Sequence, residues 1–160
     1  MNVPNQNATV LLVDDELMVA RSLQSLLQLE TDWNVLTFSE PERAIEELDR
    51  REVDVILSDF LMPIMDGITM LERAKEKQPF ASRILLTGYA DKANAIRAIN
   101  EAGLYYYLEK PWDNAHLKLV VRNAVERARL IRDLDGRIAE LEQARGELRD
   151  IRGKLIRAFL

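Results

Sequence analysis

The chain has 160 residues, 48% hydrophobic and 31% charged, with no cysteine: enough for one domain with a real core plus an appendage, too short for two domains of ordinary size, and without disulfides or thiolate metal sites. No apolar run reaches membrane-spanning length and residues 1–7 lack the basic-then-apolar order of a signal peptide, so a cytoplasmic protein with no membrane contact is the default expectation. The net charge of −5 is uneven, with 11 Lys/Arg against 20 Asp/Glu in residues 1–117 and 11 against 7 in residues 118–160; this argues against direct nucleic-acid binding by the front part and gives the tail a solvated helix face of mixed sign.

Residues 8–13 are an apolar run that reads as a first strand ending on Asp14, Asp15 and Glu16. The spacing of Val19, Leu23, Leu26 and Leu27 predicts a helix over 18–29, and residues 33–38 read as a second strand. Ser39 with Glu42 three residues later forms a capping-box signature, with Pro41 early in a helix that carries Ala44, Ile45 and Leu48. Residues 53–57, rich in β-branched side chains, run into Asp59 as a buried third strand. Pro63 cannot extend a ladder, and Asp66 and Gly67 form the turn before a helix from about Ile68 to Glu76. Residues 82–88 are a fourth strand ending on Thr87 and Gly88. Asp91 caps a helix whose apolar positions are Ala95, Ile96 and Ile99, and Gly103 ends it. Residues 104–108 are a fifth strand stopped by Glu109, Lys110 and Pro111, after which Asp113 or Asn114 caps the last helix. Strands alternating with helices through short connections predict an α/β fold, a doubly wound five-stranded parallel sheet with an extended C-terminal helix.

Four strands end on polar side chains of a useful kind: Asp14 and Asp15, Asp59, Thr87, and Lys110. In a flavodoxin-like sheet of order 2-1-3-4-5 the crevice lies between the first and third strands, which brings Asp14 and Asp15 beside Asp59. Three carboxylates about 5 Å apart repel by about 3 kcal/mol per pair at an effective dielectric of 20, so the cluster calls for a divalent cation. Oxygen-only ligands favour Mg2+, which keeps waters and leaves room for a phosphate oxygen. Lys110 and Thr87 supply a positive point charge and a hydroxyl for a phosphoryl group, and Asp59 is the natural acceptor.

Asp14 and Asp15, Asp59 followed by Met62, Pro63, Asp66 and Gly67, then Thr87 and Gly88, Tyr107, Lys110 and Pro111 together resemble the response-regulator receiver (CheY-like) domain of two-component signalling. The resemblance covers about residues 8–127 and is specific as a set, although any one of these acids alone is more often a solvated rim charge. It implies phosphorylation of Asp59 by a sensor histidine kinase or phosphotransfer protein. It also implies direct Mg2+ ligation by Asp15, action of Asp14 through water, and completion of the metal shell by the backbone carbonyl of Leu61. Thr87 and Lys110 match the phosphoryl-binding switch pair, and Tyr107 matches the aromatic that turns inward as the threonine moves. No catalytic turnover beyond self-phosphorylation and autodephosphorylation is expected. Leu61 and Tyr89 flank the site two residues after Asp59 and Thr87, and both are bulky and not acidic, from which a slowly hydrolysed phosphoaspartate is expected. An aspartate-nucleophile phosphohydrolase would need a second acid at position 61, which is Leu. The other alternative is a scaffold module that dimerises whether or not it is phosphorylated. Trp112 is expected to anchor the last helix on the sheet edge, and His116 is given no role.

From His116 onward there is no proline and the periodicity is helical. One heptad track runs Leu117, Ala124, Ile131, Ile138, Arg145, Arg152, Phe159 and the other Val120, Arg127, Leu134, Leu141, Leu148, Leu155. A helix of about 45 residues is about 65 Å long, roughly double what a small domain covers. The expected division is therefore a receiver domain at 1–127 and a coiled-coil linker at 128–160 that forms a homodimer, with the output domain absent and the chain a fragment of a longer regulator. A parallel pairing is the simplest arrangement and would place Arg137 near Glu142 of the other chain. Gly136, Gly146 and Gly153 weaken the helix by about 1 kcal/mol each, and two arginines sit in the seam, so a marginal coil is expected.

Overall fold

The computed structural model describes residues 7–29, 31–88 and 92–159. Strands β1 (Thr9–Val13), β2 (Asn34–Phe38), β3 (Val55–Asp59), β4 (Ser82–Thr87) and β5 (Tyr106–Glu109) alternate with helices α1 (Leu17–Gln28), α2 (Pro41–Glu47), α3 (Gly67–Lys77), α4 (Lys92–Ala102) and α5 (Asn114–Phe159). The sheet is parallel in the order β2-β1-β3-β4-β5, the expected doubly wound fold. Every residue of β3 and β4 is buried, as the covering of both faces by crossover helices requires. Alternate strand residues divide into two cores. Val10, Leu12, Val55, Leu57, Ile84 and Leu86 meet Leu23 and Leu27 of α1 and Leu117, Val121 and Ala124 of α5. Leu11, Val13, Ile56 and Leu85 meet Ala44 of α2, Ile68 and Leu71 of α3, and Ala98 and Ala102 of α4.

Several local expectations need correction. Ser39 does not cap α2: Pro41, whose fixed φ suits the first helical position, makes Glu40 the N-cap, and no side-chain cap bond forms. The face of α4 turned to the sheet is Ala98 and Ala102, while Ile96 and Ile99 are 58% and 56% exposed. β5 starts at Tyr106 rather than Leu104 because Gly103, at φ +58°, redirects the chain out of α4 first. Tyr105 consequently falls outside the strand alternation and packs with the α1/α5 core, under the guanidinium of Arg127 at 5.2 Å. Asp91, expected to cap α4, lies outside the described residues. Asp113 does cap α5, its Oδ1 accepting the His116 N–H at 2.9 Å, and Asp66 is more than a turn residue, since its Oδ1 accepts the Thr69 N–H at 2.8 Å and so caps α3. Trp112 packs partly buried against the α1/α5 core.

Arg83, a lone cation in an apolar strand, is only 5% exposed and organises the end of the sheet remote from Thr87. Its Nε donates to Ala102 O (2.8 Å) and its Nη2 to Gly103 O (3.2 Å) at the end of α4. Its Nη1 donates to Ala81 O (2.9 Å) and Pro79 O (3.3 Å) beyond α3. A cation held among these carbonyls caps the end of α4 and ties it to the segment that follows α3. Burial, with a smaller contribution from Arg127, pushes the guanidinium below its ordinary pKa. On the opposite face Ser82 Oγ donates to Ala124 O at 2.7 Å and fastens α5 to β4.

The structure divides into two compact units, Met1–Ala128 and Arg129–Leu160. In the second, Leu130, Leu134, Ile138, Leu141, Leu148, Ile151, Leu155, Ile156 and Phe159 are all exposed. No helix among the described residues is long and apolar enough to cross a membrane.

Replacing Arg83 with Met keeps the stem and removes every one of these donors. We expect the unfolding free energy in urea titration to fall by about 2–4 kcal/mol, the cost of leaving buried carbonyls without a charged donor; a loss under about 1 kcal/mol means the cap contributes little.

Candidate functional site

Parallel pairing builds the site at the C-terminal ends of the strands. Val13 of β1 is in register with Ser58 of β3, so the next residues in each chain segment, Asp14 and Asp59, emerge side by side. The Asp14 N–H is held by Phe38 O at 3.1 Å, and the carboxylate Oδ1 of Asp14 accepts the Glu16 N–H at 2.9 Å. Together these fix the β1–α1 turn and leave Asp15 exposed at the rim. Asp14, Asp15 and Asp59 each offer a carboxylate oxygen, and these atoms lie within 4.8 Å of one another. Asp14 is 1% and Asp59 7% exposed, so water screens their repulsion poorly.

Lys110 faces this acidic group from β5. Its Nζ stands 3.0 Å from Asp59 Oδ1 and 3.4 Å from Asp14 Oδ2. The Lys110 N–H donates to Thr87 O at 2.7 Å, and Thr87, 1% exposed, closes β4 at the same rim. The Lys110–Pro111 peptide is cis. Burial holds the Asp14 carboxyl above its ordinary pKa, aided by the Asp59 charge and opposed by the Glu16 N–H and by Lys110. Burial also works to lower the Lys110 ammonium, but the hydrogen bond to Asp59 and the charge of Asp14 outweigh it, so the net shift is upward. One cation therefore serves two buried carboxylates, and a third stands beside them. That donor set, all oxygen and negatively charged beyond what Lys110 offsets, fits a hard divalent cation.

The loop after Asp59 is held close by Gly67. A Cβ there would lie 2.0 Å from the Asp59 main-chain oxygen, and the Gly67 N–H donates to Phe60 O at 2.8 Å. Sequence reasoning saw Gly67 as turn chemistry and missed this contact; a glycine immediately following the N-cap aspartate was the available signal. Leu61 sits in the same loop with its side chain half exposed. Ile64 has φ 74°, an outlier for a β-branched residue, and is 96% exposed. Tyr107 is half-buried and packs with the α3/α4 core. Tyr89 lies outside the described residues. His116, given no role, pairs through Nε2 with the Tyr106 hydroxyl at 3.3 Å on the surface.

A parallel sheet of this order gathers three acids, a hydroxyl and an amine at one rim, and comparison with known proteins gives the family. The family model for the response regulator receiver domain matches residues 10–122. This chain belongs to that family, whose role is phosphorylation-based signalling in two-component systems. The hydrogenase transcriptional regulatory protein HoxA of Cupriavidus necator is 40% identical over 146 residues, covering 91% of this chain and 30% of that protein. The DNA-binding transcriptional regulator NtrC of Escherichia coli K12 is 31% identical over 120 residues, covering 75% of this chain and 25% of that protein. The chain thus spans less than a third of the length of these relatives. Among solved structures, the receiver domain of an HD domain-containing protein from Pseudomonas fluorescens Pf-5 is 37% identical, with a TM-score of 0.73 over 78% of this chain and 98% of that one. Receiver domains bind Mg2+ at the acidic pocket, interact with histidine kinases or phosphotransfer proteins, and are generally not enzymes.

Gly67→Ala forces the Asp59 carbonyl and the start of α3 apart. We expect a loss of about 1–3 kcal/mol in thermal or urea unfolding, typical of overpacking against backbone, together with weaker Mg2+ binding read by quenching or calorimetry; unchanged stability would mean that the loop relaxes freely.

Proposed function

We propose that Asp59 is the phosphoacceptor of this receiver, with the phosphoryl group coming from a phosphohistidine on a sensor kinase or phosphotransfer protein. The observation that carries the reading is the placement of Lys110 Nζ 3.0 Å from Asp59 Oδ1, opposite a carboxylate cluster spanning 4.8 Å. The Asp59 carboxylate is buried and oriented by a single cation, which makes it a positioned nucleophile. A carboxylate oxygen bonds to phosphorus as the P–N bond breaks, and the imidazole leaves with the bonding pair and takes up a proton. Lys110 then balances charge on the transferred group, and the Thr87 hydroxyl donates to one of its oxygens. Asp14, Asp15, Asp59 and the Leu61 carbonyl would hold Mg2+, which would offset the acidic cluster and the charge of the phosphoryl oxygens. Self-phosphorylation from small donors and autodephosphorylation are the only reactions assigned to the chain.

Thr87 and Tyr107 form the switch: engagement of the hydroxyl empties space beneath Tyr107, whose packing with the α3/α4 core makes it responsive. The receiver domain comprises residues 1–127, and residues 128–160 are a linker that forms a homodimer and passes the change to an output domain outside this sequence. The output of the relatives, named as transcriptional regulators, suggests a regulator that acts in the cytoplasm, with DNA contact left to the missing part. The front part, at 11 Lys/Arg against 20 Asp/Glu, is unsuited to polyanions.

Acetyl phosphate with Mg2+ is expected to add one phosphoryl group to the intact protein by mass spectrometry. Asp59→Asn and removal of Mg2+ with EDTA should each abolish it, and modification that survives Asp59→Asn overturns the assignment. Sedimentation with and without beryllofluoride and Mg2+ separates a phosphorylation-linked dimer from a scaffold that pairs regardless. Leu61 is expected to slow attack of water on the phosphoaspartate; Leu61→Ser should shorten its lifetime about fivefold, ~1 kcal/mol of barrier, as timed by phosphate release, and an unchanged lifetime removes that role.

A further inference from the structure

We propose that the helix of residues 129–159 pairs with a second copy of this chain in antiparallel orientation, centred near Gln143. The proposal rests on the homodimer reading above and assigns its geometry. The exposed ridge of Leu134, Ile138, Leu141, Leu148 and Leu155 is the surface to be covered. What selects the partner is the line of charge beside it. On the side of the seam occupied by the first heptad track, acids come first, Asp135 and Glu142, and bases follow, Arg145, Arg149 and Arg152. Such a line is complementary to itself only when reversed.

In a parallel pair, Arg145 meets Arg145 and Arg152 meets Arg152 across the axis, and the residues flanking them from the other chain are Ala144 and Ile151. The one favourable pair available, Arg137 with Glu142, draws on a guanidinium already bound to Asp133 on its own helix at 3.1 Å. Reversed, with Ile138 opposite Leu148 and Leu141 opposite Arg145, each seam arginine faces a leucine. Arg145 is then level with Glu142 of the other chain, and Arg149 and Arg152 with its Asp135. Among the described residues these five side chains make no ion pair within their own helix, so they are available to a partner. Ala144 of both chains meets on the opposite side, where its small size permits close approach. Gly136, Gly146 and Gly153 lie outside the seam.

The chain has no native cysteine, so disulfide mapping in the full 160-residue protein is clean. Oxidation of an equimolar mixture of Ile138→Cys and Leu148→Cys should give the mixed disulfide dimer, identified by mass, while neither variant cross-links with itself, since like positions are then about 15 Å apart. Self-linking of Ile138→Cys overturns the orientation and leaves the homodimer standing. Sedimentation of the wild type as a monomer at every concentration, with and without beryllofluoride, overturns the homodimer itself. Asp135→Arg should weaken dimerisation about tenfold and Arg137→Ala should leave it unchanged; the reverse pattern supports the parallel pairing and also sinks the proposal.

Discussion

The register between β1 and β3 is the constraint on which the site depends. Once Val13 stands beside Ser58, Asp14 and Asp59 must share one small volume with little water between them. At about 5 Å and an effective dielectric of 20 each such pair repels by about 3 kcal/mol. A fold that contained only the acids would be destabilised by its own functional groups. Lys110, delivered by the far edge strand, offsets part of this by contacting both buried carboxylates. The remaining negative charge is of the kind a divalent cation offsets, so stability and the chemistry of the donor set draw on the same imbalance.

A second cation works at the other end of the sheet for a different reason. Arg83 is surrounded by main-chain carbonyls of the end of α4 and of the segment after α3, which carry partial negative charge without being ionised. It therefore fixes the C-terminus of α4 to the segment that follows α3, while Asp66 caps the start of α3 and also reaches Arg97 of α4 at 3.7 Å. Directional polar contacts thus tie α4 to α3 through Arg97 and to the segment beyond α3 through Arg83. Between those ties α4 presents only alanines to the sheet and leaves Ile96 and Ile99 in solvent. Small contact residues hold a helix less firmly than leucines do, because burial free energy scales with apolar area.

The second unit obeys different rules. Among its described residues none belongs to a buried core and most large apolar side chains are exposed along a single helix, where propensity and short-range ion pairs such as Arg137 with Asp133 contribute only a few tenths of a kcal/mol each. Two arginines, Arg145 and Arg152, interrupt its apolar heptad track, so its surface is set by charge as much as by apolar area.

Much of this protein was legible in its residues. Apolar runs punctuated by turn signals fixed five strands and their parallel order, because buried strands and crossover helices have distinct periodicities. The acids, Thr87 and Lys110 were recognisable because each directly ends a strand. What the chain alone concealed were contacts whose meaning depends on a neighbour distant in sequence. Gly67 looks like any turn glycine until the Asp59 carbonyl is found where its Cβ would be. Arg83 looks like a stray charge until the end of α4 and the segment after α3 converge on it, and the isoleucines of α4 look like core until packing turns alanines inward instead. Periodicity determines which residues share a face of an element; only the three-dimensional arrangement decides which face is covered, and by what, because burial and electrostatics act through space rather than along the chain.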